Sequence, residues 1–238
     1  MHIIKTLLIT ILFIPSLAKA MDMDEMTEGE QTIFHAFTLE TDIGDSREGT
    51  LATWDFDGWV GGDINKLHLK SEGERVENET HQAEFWAMYS RNVTEFWDVQ
   101  AGVRYDIKPE HTAYLTLGVE GMAKYFFETE AHLFVSDEGD VSARIRQERD
   151  FLITQKLILE PYVEIELYSQ DVSDQEVGAG LANGEVGLQT RYEITRKFAP
   201  YIDLRYESKF GETANIARSA GETRDDARIS VGLRLRFN

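Results

Sequence analysis

From residue 32 onward, apolar and polar residues alternate with a period of two, a pattern that only an extended strand converts into one apolar and one polar face. In 96–107 the odd positions are Trp97, Val99, Ala101, Val103, Tyr105 and Ile107, and the even ones are Asp98, Gln100, Gly102, Arg104 and Asp106. The last segment repeats the rule, with Ala227, Ile229, Val231, Leu233, Leu235 and Phe237 against Arg228, Ser230, Gly232, Arg234 and Arg236. Segments at 184–195 and 200–209 follow it as well, and no helical periodicity competes. The pattern predicts strands at 32–42, 51–60, 64–72, 83–91, 96–107, 111–120, 124–135, 140–152, 158–170, 184–195, 200–209 and 226–237.

Connections after even-numbered segments are short turns, whereas those after odd-numbered segments include long loops at 171–183 and 210–225. Strands near the roughly 9 to 11 residues that cross a bilayer, joined this way, predict an all-β fold: a transmembrane antiparallel up-and-down β-barrel of about 12 strands. An even count puts both termini on the periplasmic side. A soluble barrel or sandwich also alternates, but its solvent faces seldom carry opposed charges as closely as Glu128, Glu130 and His132 beside Arg144, Arg146 and Glu148. On the membrane reading Val231 and Leu233 face lipid, and Arg234 lines the lumen, where truncation is expected to spare assembly. Trp59, Trp97, Tyr125 and Phe127, near segment ends, are expected to form the interfacial girdles. Pro109 falls in a connection and Pro200 opens a strand, whereas Pro161 requires a bulge or a later strand start.

Residues 1–20 read as an export signal: Lys5, an apolar core from Thr6 to Ile14, Pro15 and Ser16, then Ala18-Lys19-Ala20 as a cleavage site. The core is about half the length of a membrane-spanning helix. Residues 21–31 are then a short Met- and Asp-rich tract on the periplasmic side and 32–238 the barrel. With 24 Lys and Arg against 43 Asp and Glu, the net charge of −19 argues against a nucleic-acid partner, whose phosphates demand a basic surface. The chain has no cysteine, which removes disulfides, thiolate nucleophiles and sulfur-rich zinc or iron sites together.

Along Trp54-Asp55-Phe56-Asp57-Gly58-Trp59-Val60-Gly61-Gly62-Asp63-Ile64-Asn65-Lys66-Leu67 and Ser71-Glu72-Gly73-Glu74, the sequence resembles the copper resistance protein B family of bacterial outer membranes. The likeness continues through Tyr89-Ser90-Arg91, 96–106, 148–159, Arg191-Tyr192-Glu193-Ile194 and Phe198-Ala199-Pro200-Tyr201-Ile202. It implies an outer-membrane protein that binds or sequesters copper, as Cu(I) or Cu(II), with outer-membrane lipid, copper ions and periplasmic copper-handling proteins as partners and no enzymatic step. The family's long Met- and His-rich leader is reduced here to Met21-Asp22-Met23-Asp24-Glu25-Met26, and Asn238 follows the aromatic Phe237 at the end of the chain.

Within that expectation, two sets of residues are candidate copper ligands. Met21, Met23 and Met26 supply soft thioethers and Asp22 and Asp24 harder carboxylates, a mixture able to hold copper weakly in either redox state; a frayed polar terminus is the plain alternative. In the barrel, parity puts His68, Met88, Glu128, Glu130 and His132 on lumen faces, with Trp86 beside Met88. The plain alternative there is a lumen packed by salt bridges. His35 and His111 fall on apolar faces, and His81 in an outer loop. The acidic stretch from Asp55 lacks the twelfth-position acid of a calcium loop, since Lys66 stands there, and reads as a hairpin turned at Gly61-Gly62. No serine is placed to pair with a histidine, against a lipid-splitting enzyme. A general porin without specific copper binding is the alternative function.

Overall fold

The computed structural model describes residues 33–46, 49–77 and 79–238. Twelve antiparallel strands follow one another: β1 Phe34–Ser46, β2 Gly49–Gly61, β3 Asn65–Val76, β4 Glu79–Thr94, β5 Trp97–Lys108, β6 Thr112–Ala123, β7 Phe127–Ser136, β8 Val141–Glu148, β9 Leu157–Tyr168, β10 Gly180–Tyr192, β11 Phe198–Lys209 and β12 Asp225–Phe237. Each pairs with its chain neighbour, and β1 pairs with β12 from Phe37–Phe237 to Asp45–Ile229, so the sheet closes on itself. The expected outer-membrane-type barrel of twelve strands is the fold observed. No helix among the described residues is long and apolar enough to cross a membrane.

The first four strands are longer than the alternation suggests. β1 and β2 approach each other to residues 46 and 49, and β3 and β4 to 76 and 79, through stretches that read as loops because they are rich in Glu, Asn and Gly. Strand pairing does not need an apolar outer face once the backbone has left the hydrocarbon, so the ladder continues where the apolar signal stops. His81 consequently lies on β4 and not in a loop. Pro161 sits within β9, paired with Leu188 on β10. Its missing N–H is accommodated on the other side, where β8 breaks after Glu148 and resumes only as Phe151–Leu152. The irregularity is thus carried by the neighbouring strand.

The two long connections fold back over the barrel end opposite the termini. Residues 211–220, expected as loop, form helix α1 (Gly211–Ala220), closed by Gly221 in the left-handed conformation at φ 86°. Its buried residues are only Thr213, Ala214 and Ala217, too small to write an apolar stripe into the sequence. The Thr213 hydroxyl accepts from the Gly178 N–H at 3.0 Å, tying α1 to the connection 169–179, whose Val172 and Val177 pack with Ala182.

Outward positions carry the apolar residues, among them Leu115, Leu117, Ile229 and Val231, all more than half exposed, whereas Tyr114, Thr116 and Ser230 beside them on the inner face are buried. Trp59 is a correction to the expected girdle: it shares the inward face of Asp55 and Asp57, and the Lys66 ammonium lies 5.2 Å from its ring centroid.

The two faces respond differently to charge. Val231, opposite Ile43 and Ile202 on the lipid face, should cost about 2 to 4 kcal/mol when replaced by arginine if it lies near the bilayer midplane, measured as the shift in the urea midpoint of the reconstituted protein. Arg234 is not the dispensable lumen residue that parity alone suggests. It is buried and pairs with both Glu40 and Glu160; Glu160 keeps Arg191, but Arg234→Ala leaves Glu40 without a cation inside the barrel and should destabilise by about 3 kcal/mol in the same measurement.

Candidate functional site

Closing the sheet forces the polar faces of twelve strands into one lumen, where every charge must find its partner inside. Arg144 on β8 reaches across to Glu84 on β4 (Nη1–Oε1 2.8 Å) and Glu72 on β3 (3.2 Å) while also holding Glu166 on β9 (3.1 Å). Arg104 completes the shell of the fully buried Glu84 at 2.6 Å. Lys70 on β3 spans to Glu130 on β7 at 2.5 Å, and Arg228 on β12 to Glu74 on β3 at 2.6 Å. The pairs of Arg144 with Glu84 and Glu72, Lys70 with Glu130 and Arg228 with Glu74 join non-neighbouring strands, so the lumen is crossed by side chains. Beside them a polar cavity of about 300 Å³ is lined by residues that include Asp55, Arg146, Glu164 and Gln189.

At one level of this lumen lies a cluster rich in nitrogen and sulfur. His68 and Met88 are directly opposite on β3 and β4, both buried, with Met88 wholly inaccessible. The Gln100 amide stands between two imidazoles: its Nε2 is 2.7 Å from His68 Nδ1 and its Oε1 2.8 Å from His132 Nε2. With the amide in this orientation, His68 Nδ1 accepts and His132 Nε2 donates. Glu120 takes a second Gln100 N–H at 2.7 Å. On its other side His68 Nε2 lies at ion-pair distance, 3.1 Å, from Asp57 Oδ2, an oxygen that the Lys70 ammonium also approaches at 3.3 Å. The His132 ring is packed edge-on by Trp86 at 5.1 Å and accommodated by Gly118 opposite, where a Cβ would come within 2.2 Å of the imidazole. Gly118 is therefore the residue that lets β7 carry a histidine inward.

The structure brings together His68, Met88 and His132 as strand parity expects. Glu130 is near but committed to Lys70, and Glu128, at the start of β7, is exposed and takes no part in the cluster. Met21, Asp22, Met23, Asp24 and Met26 lie outside the described residues. Among the described residues no group of three or more His, Asp or Glu side chains is gathered for metal binding; what converges is two imidazoles, a thioether and one amide. His35 opposes Val60 near the start of β1, and His111, in the connection after β5, stacks on Tyr105 at 6.1 Å, so neither contributes. Asp57 faces the lumen as its parity in the Asp55–Gly58 stretch predicts, but neither it nor Gln100 or Glu120 is among the copper ligands expected from sequence. Their parity was visible, but which lumen residues meet depends on how far each strand is staggered against the next, and that stagger is not written in any single strand.

The donor set suits copper by its chemistry: imidazole and thioether favour copper over the hard cations that carboxylates take. Both ring nitrogens of His68 already have neighbours, Nδ1 the Gln100 amide and Nε2 the Asp57 carboxylate, so an incoming ion would have to replace one of them.

Comparison with solved structures places the fold among outer-membrane barrels. The NanC porin matches 83% of this chain and 98% of its own at a TM-score of 0.59 with 11% identity. The KdgM porin matches 84% and 99% at 0.54 with 10% identity. At such identities the likeness is one of fold alone. Two curated proteins match by sequence: a copper resistance protein B homolog of Pseudomonas syringae pv. tomato, 41% identical over 81% of this chain and 66% of its own length, and the copper resistance protein B of Escherichia coli, 40% identical over 78% and 63%. The chain thus spans just under two thirds of the relatives it matches. The family model described as copper resistance protein B precursor covers residues 32–237, the whole of the barrel, and the chain belongs to that family.

Proposed function

We propose that this protein binds copper ions at the outer membrane and retains them, contributing to copper homeostasis or detoxification without an enzymatic step. The observation that supports the reading is the convergence of His68, Met88 and His132 around Gln100 inside a barrel of the copper resistance protein B family. Copper is cargo here. A copper ion held here would draw on the His68 and His132 imidazoles, with Gln100 giving way between them, and on the Met88 thioether as the soft donor. Asp57 and Glu120 flank His68 and supply negative charge to offset the cation. In the same reading residues 1–20 are an export signal, 21–31 a periplasmic tract and 32–238 the barrel. Met21, Met23 and Met26, with Asp22 and Asp24, then form a second, weaker site open to periplasmic copper-handling proteins. Three thioethers within six residues are close enough for one ion but are not preorganised, which limits affinity.

Two measurements test the proposal. Titration of the purified protein with Cu(I) against a calibrated chelator should show binding that His132→Ala or Met88→Ala reduces by one ion per chain, while the combined Met21→Ser, Met23→Ser, Met26→Ser variant loses a different, weaker ion and keeps its barrel fold. Wild-type protein that takes up neither Cu(I) nor Cu(II) refutes copper binding and favours a general channel.

The second concerns sidedness. If both termini are periplasmic, α1 and its flanks lie outside the cell, and trypsin added to intact cells should cut at the exposed Arg218 or Arg224 and leave an epitope tag after residue 22 intact. A cleaved tag with an uncut α1 segment reverses the orientation.

A further inference from the structure

We propose that the outward face of the β7–β8 hairpin, at the end of the barrel that carries the termini, binds the phosphate of a membrane lipid, with Arg149 as its cation. This rests on the barrel's outer surface facing lipid and is independent of copper.

Arg149 follows Val141, Ala143, Ile145 and Gln147 on the outward parity of β8, and its N–H donates to the Pro161 carbonyl at 3.2 Å. Its guanidinium carbon lies 4.5 Å from the ring centroid of Phe151 and 5.6 Å from that of Phe127, so two rings hold it in place. The Nε is buried without a hydrogen-bond partner, and among the described residues no carboxylate lies at ion-pair distance from this side chain. The inward arginines are treated differently: Arg104, Arg144, Arg191, Arg228 and Arg234 each reach a carboxylate.

An arginine fixed at a lipid surface without a counter-charge is costly, and the side chain cannot discard its proton to escape the cost. The anion found at the interface is the lipid phosphate, whose oxygens match the planar guanidinium fork. A second polar pair continues the site inward. Gln147 donates to the Thr129 hydroxyl at 3.1 Å across β8 and β7, on the same outward face and one pair closer to the barrel middle. Two residues of strand correspond to about 7 Å, which sets amide and hydroxyl at the level of a glycerol backbone when the phosphate is on Arg149. Tyr125, Phe126 and Leu152, each more than two thirds exposed, flank the position with apolar surface for the chains.

Native mass spectrometry of the full chain released from detergent reads the site directly, with phosphatidylglycerol, lipid A and phosphate-free diacylglycerol offered as separate probes. Arg149→Ala should lower retention of the phosphate-bearing lipid about tenfold, as expected for loss of a charge-assisted bidentate contact. Phe151→Leu, which keeps the charge and removes one ring, should lower it about threefold. Arg91→Ala removes an exposed outward cation on β4 near the same end and should leave retention close to wild type. Preference for phosphatidylglycerol or for lipid A, provided it depends on Arg149, supports the phosphate site and identifies the lipid. Equal binding of diacylglycerol, undiminished retention in folded Arg149→Ala and Phe151→Leu proteins, or an equal loss in Arg91→Ala overturns it. Heat-modifiable migration on gels establishes that each variant is folded.

Discussion

Backbone hydrogen bonding without solvent is the constraint from which the rest of this structure follows. A strand crossing hydrocarbon has N–H and C=O groups on both edges, and lipid offers them nothing. The pairing of β1 with β12 between Phe37–Phe237 and Asp45–Ile229 removes the last two edges and converts a twelve-strand sheet into a cylinder. Closure also explains how Pro161 is tolerated: the donor it lacks falls where β8 is already interrupted, so the ladder loses little that it would otherwise have made.

Closure has a second consequence, inside. Alternation sends half of every strand inward, and those halves are charged. A lumen of this width cannot hydrate them all as bulk water would, so they are neutralised across the bore: Arg144 with Glu72 and Glu84, Lys70 with Glu130, Arg228 with Glu74. Such pairs add little net stability compared with an apolar filling, but losing either partner is expensive, which fixes the arrangement and rigidifies the wall. The imidazole–amide–imidazole array of His68, Gln100 and His132 is embedded in that wall, with Lys70 and Glu130 adjoining it in sequence on the same two strands. A rigid surround of this kind holds donor atoms at fixed separations, as a metal-binding site needs.

The outer surface obeys the same reasoning with the sign reversed. Where the wall meets lipid, charge has to be absent or to be matched from the membrane itself. Arg149, clasped by Phe127 and Phe151 and without a carboxylate, follows from that rule as directly as Arg144 does from the rule inside.

The alternation by itself determined the strand number, the antiparallel order and the facing of nearly every side chain, because a period of two and a single apolar solvent leave one solution. It placed His68, Met88 and His132 inside and Val231 and Leu233 outside, and the motifs from Trp54 to Glu74 carried the family. It did not give the ends of β1 to β4, since pairing outlasts the apolar pattern once water replaces lipid, nor α1, whose buried face is made of Thr213, Ala214 and Ala217. Only the tertiary structure decided that Gln100 bridges two histidines, that Glu128 stands apart while Glu130 is taken by Lys70, and that Arg234 is held by Glu40 and Glu160. Those meetings join residues on strands up to a whole circuit apart. They are set by the stagger accumulated around the closed barrel, a quantity that exists only after all twelve strands have paired.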